Sequence, residues 1–320
     1  MGQIYLIRHA EAEGNLYKLA HGQYDSALTE KGKMQILALE QRFRGMTFDW
    51  VYSSDLSRAV HTAGALRLAE GSQLQTRQEL REMFYGDWEG LPWGEIRRQS
   101  PDSMTLFLER TEQWHPAGGE NYSQLQRRML HAFQTIAETH PDKSIAIVSH
   151  NLAIRSLLDS LAGTQPGLPQ GPFFSDNTAV SVIENDNGTL RLSLACDISH
   201  LSAQLRRSPR VPGIPLLCYS RSISGNGDIS IIGTYQQQVL GRICYRADGV
   251  SGQLQLLELA HRDSPEAEVI ALQILGQAVI DLREQGRGLF TVPEHLCMAF
   301  SREFWEKNGF YGKRDRHKSL

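Results

Sequence analysis

The first two thirds of the chain alternate short apolar runs with stretches of helical spacing. Consecutive apolar residues predict buried strands, and apolar residues three and four apart predict helices that cover them. The predicted strands are 3–8, 49–53, 144–149, 178–184 and 190–196. This alternation is typical of an α/β fold in which helices cross over a mostly parallel sheet.

Helix-capping residues stand between these strands. Thr29 precedes a helical pattern that continues to about Phe43, and Ser54 or Asp55 precedes one that continues to about Ala69. Helical spacing also covers 122–139 and 152–162.

The segment 84–120 breaks this alternation. It holds Trp88, Trp93 and Trp114 together with prolines and glycines, and it shows little periodicity. We predict an excursion over the sheet edge, where binding surface is usually built. The tryptophans either line the entrance of a site or pack the excursion onto the sheet.

A linker separates this pattern from a second one. "RRSPRVPGIP", residues 206–215, combines prolines, a glycine and cations. Strand-like "DISIIGTY", "VLGRICYR" and "QLQLLELA" follow, then a helix from about Pro265 to Glu284, the strand "GLFTV" and a short helix around 297–307. A length of 320 residues also favours two domains. We predict domains at 1–203 and 216–320, joined by a linker at 204–215.

Composition excludes several classes of protein. A net charge of -3 does not suggest a nucleic-acid binder, and no apolar run is long enough to span a membrane. The four cysteines form no CxxC pair, which disfavours zinc and a disulfide scaffold and predicts a cytoplasmic protein. We expect no metal and no cofactor.

Basic side chains collect where predicted strands end. "IYLIRH" ends on Arg8 and His9, "IAIVSH" ends on His150, and Arg58 lies in the first turn of the helix after "DWVYSS". In open α/β sheets ligands bind beyond the carboxyl ends of the strands. Guanidinium groups match phosphate oxygens, and a neutral histidine is a nucleophile, so the cluster predicts a phosphate site.

Several blocks resemble one family in its own order. "LIRHAEAEGN", "YDSALTEKGKMQ", "VYSSDLSRAVHTA", "LREMFYGDWEG", "GGENYSQLQRRM" and "IVSHNLAIRSLL" are similar to the histidine phosphatase superfamily, the phosphoglycerate mutase-like proteins, over about residues 1–200. The resemblance implies that family's three-layer sandwich with a mostly parallel sheet.

The same resemblance implies roles for the clustered residues. His9 is the nucleophile that becomes a phosphohistidine, and Arg8, Arg58 and His150 hold the phosphate oxygens, with Asn15 as a neutral donor. Arginines supply the charge that a magnesium ion provides in other phosphoryl transfers.

A carboxyl group is also implied, as the acid that protonates the leaving oxygen. Glu82, in "REMFYGDWEG", matches this proton donor, and the role requires a raised pKa. Glu11 and Glu13 are an alternative carboxylate pair, although Glu11 fits the orienting of a neighbour better. We expect Glu120, in "GGEN", to support the pocket rather than do chemistry.

Other residues fall where the family contacts substrate. These are His21, Gln23 and Tyr24 in "AHGQYDSAL", for which a solvated loop is the alternative. Asn151 follows the second histidine, where the family commonly has glycine, and it adds a donor that could alter specificity. Ala10 also replaces a glycine, with only a methyl group added.

The block around Glu82 predicts the substrate class. "FYGDWEG" resembles the family's phosphatases, including alpha-ribazole and broad-specificity phosphatases, and mutases carry a longer insertion after this block. We therefore predict hydrolysis of a small phosphorylated metabolite. A phosphoglycerate mutase-type phosphotransferase and a catalytically silent sensor of a phosphorylated ligand are the alternatives.

The C-terminal pattern resembles a second family. "LQLLELA" and "LFTVPEHLCMAFSREFWEKNGFYG" are similar to the last part of the GNAT family of N-acetyltransferases, over roughly 225–312, which implies a smaller α+β domain. That family binds acetyl-CoA pyrophosphate on a glycine-rich turn, whereas Glu266 and Glu268 here would repel it. Acetyl-CoA is thus doubtful. Homodimer formation, shaping of the phosphatase entrance and a bifunctional enzyme remain alternatives.

Overall fold

A computed structural model describes most of the chain. The described residues are 2–163, 175–186, 188–206, 215–312 and 315–320. Their contacts divide the chain into two compact units. The first comprises 1–12, 20–90 and 100–209, and the second comprises 13–19, 91–99 and 210–320.

A six-stranded sheet forms the centre of the first unit, in the order β3-β2-β4-β1-β5-β6. Its strands are β1 (Gly2–Arg8), β2 (Trp50–Ser54), β3 (Leu74–Arg77), β4 (Ser144–Ser149), β5 (Val180–Asp186) and β6 (Thr189–Asp197). The strands β3, β2, β4 and β1 pair in parallel, whereas β5 pairs antiparallel with both β1 and β6. The sheet is therefore mixed, and the expected mostly parallel order holds for four strands.

Helices cover both faces of this sheet. The helices of the first unit are α2 (Glu30–Arg42), α3 (Ser57–Ala63), α5 (Pro101–Glu109), α6 (Tyr122–Thr139) and α7 (Asn151–Ala162), whereas α1 (Glu13–Leu16) and α4 (Trp93–Gln99) belong to the second unit. Leu39 of α2 and Ala59 of α3 share a buried core with Ile7 and Val148. The helices α6 and α7 pack on each other, and α7 also contacts β1. This is the expected α/β architecture of the phosphoglycerate mutase-like fold.

Local sequence signals set several helix ends. Thr29 caps α2, and its hydroxyl accepts a hydrogen bond from the Gly32 N–H. Asn121 and Gln124 form a reciprocal capping box at the start of α6. The helix expected after Ser54 is shorter than predicted, since α3 ends at Ala63 and Gly64 follows it.

A second six-stranded sheet, in the order β12-β11-β10-β9-β8-β7, belongs to the second unit. Its strands are β7 (Cys218–Ile223), β8 (Asp228–Tyr235), β9 (Gln238–Asp248), β10 (Ser251–Leu259), β11 (Leu289–Val292) and β12 (Arg316–Ser319). The helices are α8 (Ala267–Glu284), α9 (Glu294–Cys297) and α10 (Arg302–Lys307). The long α8 connects β10 to β11, which pair in parallel, and the other neighbours are antiparallel.

The short α1 packs within this second unit. Glu13 forms ion pairs with Arg283 of α8 and, at 3.3 Å, with Lys318 of β12. Tyr17 lies against Gly276 of α8, where an added Cβ would come within 2.4 Å of the tyrosine ring. Glycine in the middle of a helix is costly, and here it permits this close approach.

The helix α4 makes a similar approach. A Cβ on Gly94 would lie 2.2 Å from the Leu217 carbonyl oxygen, just before β7. The segments 13–19 and 91–99 therefore belong with the C-terminal residues, although the sequence places both before the expected linker. Most of that linker, 207–214, lies outside the described residues. In the described parts of the chain, no helix has both the length and the apolar character needed to cross a bilayer.

Candidate active site

Arg8 and His9 stand at the carboxyl end of a central strand. β1 lies between β4 and β5, and Arg8 is in register with Ser149, the last residue of β4. The next residue, His150, is the N-cap of α7. The ring centroids of His9 and His150 are consequently 5.0 Å apart, and both side chains are buried. The structure thus brings together the two histidines that the sequence placed at strand ends.

A local hydrogen bond fixes the His9 ring. Its Nδ1 lies 2.7 Å from the Ala10 carbonyl oxygen, which can only accept, so Nδ1 carries the proton. The Ala10 N–H in turn donates to the Thr62 hydroxyl at 2.9 Å. In the neutral ring, Nε2 then keeps its lone pair, as a nucleophile requires.

The surroundings keep these imidazoles neutral. Burial, followed by the positive charges of Arg58 and Arg8, lowers the pKa of His9 well below the usual value for histidine. Burial and the charge of Arg58 likewise hold the pKa of His150 well below its usual value. Desolvation and neighbouring cations both disfavour imidazolium, so the site holds neutral rings beside fixed positive charge.

A third histidine joins the site. The His21 ring lies 6.1 Å from His9 between centroids, with the ring planes nearly perpendicular. Burial and the charges of Arg58 and Arg8 lower its pKa well below the usual range. The sequence left His21 between a substrate contact and a solvated loop, because its distance from His9 depends on how the loop folds back.

Arg58 organises that loop. It is fully buried, and its Nη atoms donate to the carbonyl oxygens of His21, Gly22 and Tyr24 at 3.2, 2.6 and 3.0 Å. A Cβ on Gly22 would lie 2.1 Å from the Met83 carbonyl oxygen, so glycine is needed where the loop passes the Met83 backbone.

The Glu82 side chain lies against the N-terminus of α7. Its carboxylate accepts hydrogen bonds from the N–H groups of Met83, Leu152 and Ala153 at 2.9, 3.1 and 3.0 Å. Burial nevertheless raises the pKa of Glu82, and these bonds together with Arg58 only partly oppose the increase. Glu82 is therefore a buried carboxyl group close to the cationic cluster, with the raised pKa that a proton donor requires.

Two further glutamates hold the Glu82 segment. Glu120 pairs with Arg128, whose guanidinium also donates to the carbonyl oxygens of Arg81 and Glu82. Glu89 accepts hydrogen bonds from the N–H groups of Gln23, Tyr24 and Tyr85. The first contact agrees with the supporting role expected for Glu120. The role of Glu89 was not predicted, and its only signal was its place in the "FYGDWEG" block.

The residues that we expected to contact substrate lie on different elements of the structure. Gln23 donates to the Glu82 carbonyl oxygen at 3.3 Å, and Tyr24 packs over Gly90. Asn151 begins α7 directly after His150. Asn15 lies on α1, in the second unit.

The two carboxylates of the alternative pair contact different groups. Glu11 accepts a hydrogen bond from the Thr29 hydroxyl at 2.9 Å and pairs with Lys31, so it orients the start of α2. Glu13 is engaged by Arg283 and Lys318 in the second unit. Both carboxylates thus have structural partners.

Known proteins resemble this chain in sequence. A phosphoserine phosphatase 1 of Hydrogenobacter thermophilus is 28% identical over 213 residues, which are 65% of this chain and 100% of that protein. An adenosylcobalamin/alpha-ribazole phosphatase of Escherichia coli is 29% identical over 161 residues, which are 50% of this chain and 79% of that protein. Such relatives confirm the expectation of a phosphatase.

A solved structure shares the fold. The Bacillus stearothermophilus protein YhfR superposes with a TM-score of 0.60 at 31% identity, over 62% of this chain and 99% of that one. The family model for the histidine phosphatase superfamily (branch 1) matches residues 4–198. The likeness of the C-terminal part to N-acetyltransferases stays a prediction. Over more than half of its length, the chain matches the histidine phosphatase superfamily, branch 1, and it belongs to that family.

Proposed function

We propose that the protein hydrolyses phosphomonoesters of small metabolites through a phosphohistidine on His9. The observation that carries this proposal is the buried, neutral His9 ring, fixed with its proton on Nδ1 and placed beside His150, Arg8 and Arg58. Phosphatase relatives that include enzymes named for phosphoserine and alpha-ribazole support a small phosphorylated substrate.

In the first step, His9 Nε2 attacks phosphorus as the bond to the leaving oxygen breaks. Arg8, Arg58 and His150 stabilise the charge on the phosphoryl oxygens, with Asn15 and Asn151 as further donors. Glu82 gives its proton to the leaving oxygen, and the alcohol departs.

In the second step, water attacks the phosphohistidine. Glu82, now a carboxylate, takes a proton from that water as the P–N bond breaks, which releases inorganic phosphate and restores His9. The buried arginines supply the positive charge throughout, so this sequence of steps uses no metal. Gln23 and Tyr24 contact the leaving group.

The test is the His9→Ala variant. Wild-type protein should hydrolyse p-nitrophenyl phosphate in excess EDTA and yield acid-labile, alkali-stable phosphate on His9, and the variant should lose both. His61→Ala is the matched control, because His61 is exposed and its Nδ1 hydrogen-bonds to the Ser57 carbonyl oxygen of its own helix. Full turnover in His9→Ala would refute the nucleophile.

A panel of phosphorylated metabolites followed by ³¹P NMR identifies the substrate class. Release of inorganic phosphate marks hydrolysis, and an isomerised phosphoester marks a mutase. Failure of the wild-type protein to form phosphohistidine with any member would favour the silent sensor instead.

For the second unit we propose a role without acetyl-CoA. Glu266 is the N-cap of α8, and Glu268 in its first turn pairs with Lys307. Negative charge at a helix N-terminus repels a pyrophosphate. Titration calorimetry with acetyl-CoA should give no binding heat, and micromolar binding would revive a bifunctional enzyme. Sedimentation of the full chain tests for a homodimer.

The four cysteines support a reducing compartment. Cys196, Cys218, Cys244 and Cys297 are all free thiols, none of them fully buried. We propose a cytoplasmic location on this basis, and fractionation of the native host tests it.

A further inference from the structure

A strained turn lies behind the nucleophile. The residues Ser175 to Ala179 lead into β5, and Thr178 has a φ of 59° although it is fully buried. A β-branched residue rarely adopts positive φ, and such a conformation persists only where surrounding contacts impose it. The contacts of this turn include the backbone of Arg8 and His9 and the His200 side chain, which follows β6.

The turn holds the backbone of Arg8 and His9. The Thr178 N–H donates to the Arg8 carbonyl oxygen at 3.0 Å and to the His9 carbonyl oxygen at 3.4 Å. The Asn177 Nδ2 also donates to the His9 carbonyl oxygen, at 2.9 Å. The Arg8 guanidinium donates to the Ser175 carbonyl oxygen. The peptide groups on both sides of the nucleophile are therefore fixed from this turn.

His200 holds the turn from the other side. The Thr178 hydroxyl donates to the Asn177 carbonyl oxygen at 2.7 Å, so it accepts from His200 Nε2, 3.1 Å away. His200 Nδ1 then lacks a proton and accepts from Arg42 Nη1 at 3.2 Å. The donors and acceptors agree with a single neutral tautomer of His200.

The charges around His200 maintain that tautomer. Burial and the adjacent Arg42 lower the pKa of His200 to about 4, against the opposing effect of Asp197. Arg42 is itself paired with Asp197, which also accepts from the Ser199 hydroxyl at 2.8 Å. The imidazole is thus an uncharged connection between a fixed guanidinium and the turn.

We propose that His200 is a positioning residue for the phosphatase reaction. Its Nε2–H holds the Thr178 hydroxyl, which keeps Thr178 at positive φ, and the turn then fixes the direction in which His9 presents Nε2. This inference rests on the proposed function and deepens it. A misplacement of about 1 Å lowers the rate about 100-fold when the attack must be in line.

The test compares His200→Leu with His200→Gln. Leucine removes the donor to Thr178, and glutamine keeps an N–H donor near the position of Nε2. For p-nitrophenyl phosphate we expect kcat to fall roughly 10- to 100-fold in His200→Leu with KM within about twofold, and glutamine to restore most of the loss. His131→Leu, at an exposed histidine of α6, is the control.

Two outcomes would overturn the inference: an unchanged kcat in His200→Leu, or equal losses in both variants with a matching fall in Tm. The NMR signal of the His9 ring provides a readout without turnover. It should shift in His200→Leu and return in His200→Gln. An inactive wild-type protein would refute the proposed function, and this shift would still decide the positioning role.

Discussion

Two clusters of buried charged groups, one in each unit, are built in opposite ways. In the first unit Arg8 and Arg58 lie beside neutral imidazoles, and Arg58 donates mainly to carbonyl oxygens, with Asp25 at 3.7 Å. In the second unit the buried Glu13 is matched by Arg283 and Lys318.

The difference separates function from structure. Buried positive charge beside neutral imidazoles favours a ligand that brings negative charge, so the first cluster has the properties of an anion site. A buried carboxylate with two cationic partners needs no ligand. Removal of one partner leaves the carboxylate less compensated and therefore affects folding. Substitutions in the two clusters should therefore alter different measurements.

The largest expected effect is on catalysis at Arg58. Arg58→Ala removes transition-state charge stabilisation and the support of the 21–24 loop, so kcat/KM for p-nitrophenyl phosphate should fall about 1000-fold. Arg58→Lys keeps the charge but loses the planar fork, and we expect an intermediate loss. Arg77→Ala, at an exposed arginine, should leave kcat/KM nearly unchanged. A loss there as large as in Arg58→Ala would contradict the interpretation of the first cluster as an anion site.

Glu82→Gln should lower kcat about 100-fold for alkyl phosphates and less for p-nitrophenyl phosphate, whose leaving group needs no proton. In the wild type, activity should be lost as pH falls through the lowered pKa of His9 and as it rises through the raised pKa of Glu82. The alkaline loss should disappear in Glu82→Gln. A pH profile with the same alkaline limb in both proteins would contradict the acid assignment.

Arg283→Ala should act on stability. It leaves Glu13 buried with Lys318 as its remaining cation, and we expect about 3 kcal/mol less free energy of unfolding, measured with urea. Arg302→Ala breaks an exposed pair with Glu306 and should lower the free energy of unfolding far less. Equal losses of unfolding free energy in the two variants would show that burial does not distinguish these two ion pairs.

The smallest effect is the pH dependence of stability. The folded-state pKa of His9 is lowered, so below pH ~6.5 the unfolded state binds a proton that the folded state does not. Stability is thus fully present above that pH and is lost as pH falls. His9→Asn should flatten the fall of the unfolding free energy below pH ~6.5, measured with urea against wild type.

The sequence predicted the position of candidate functional residues wherever these residues stand at the end of a strand. Arg8, His9 and His150 could be placed together because parallel strands end at one edge of a sheet. Thr29 as the cap of α2 likewise depends only on neighbours in the chain. Such features are local, or they repeat with the period of a strand or a helix.

Contacts between distant segments could not be read in this way. The capping of α7 by Glu82 depends on the packing of a loop 70 residues before Leu152. The strand β3 was missed because Leu74 to Arg77 lack an apolar run, and it pairs at the sheet edge. Glu13 could be considered only as one half of a carboxylate pair with Glu11, since its actual partners lie far along the chain.

The contact of Tyr17 with Gly276 limits the modularity of this chain. Tyr17 belongs to the stretch that matches the superfamily, yet its neighbour is a glycine near the end of the chain. A chain truncated near residue 203 would leave this aromatic ring without its partner. Transplanting residues 1–203 onto another fusion partner should therefore require a smaller residue at position 17 or a helix that offers the same glycine-sized space.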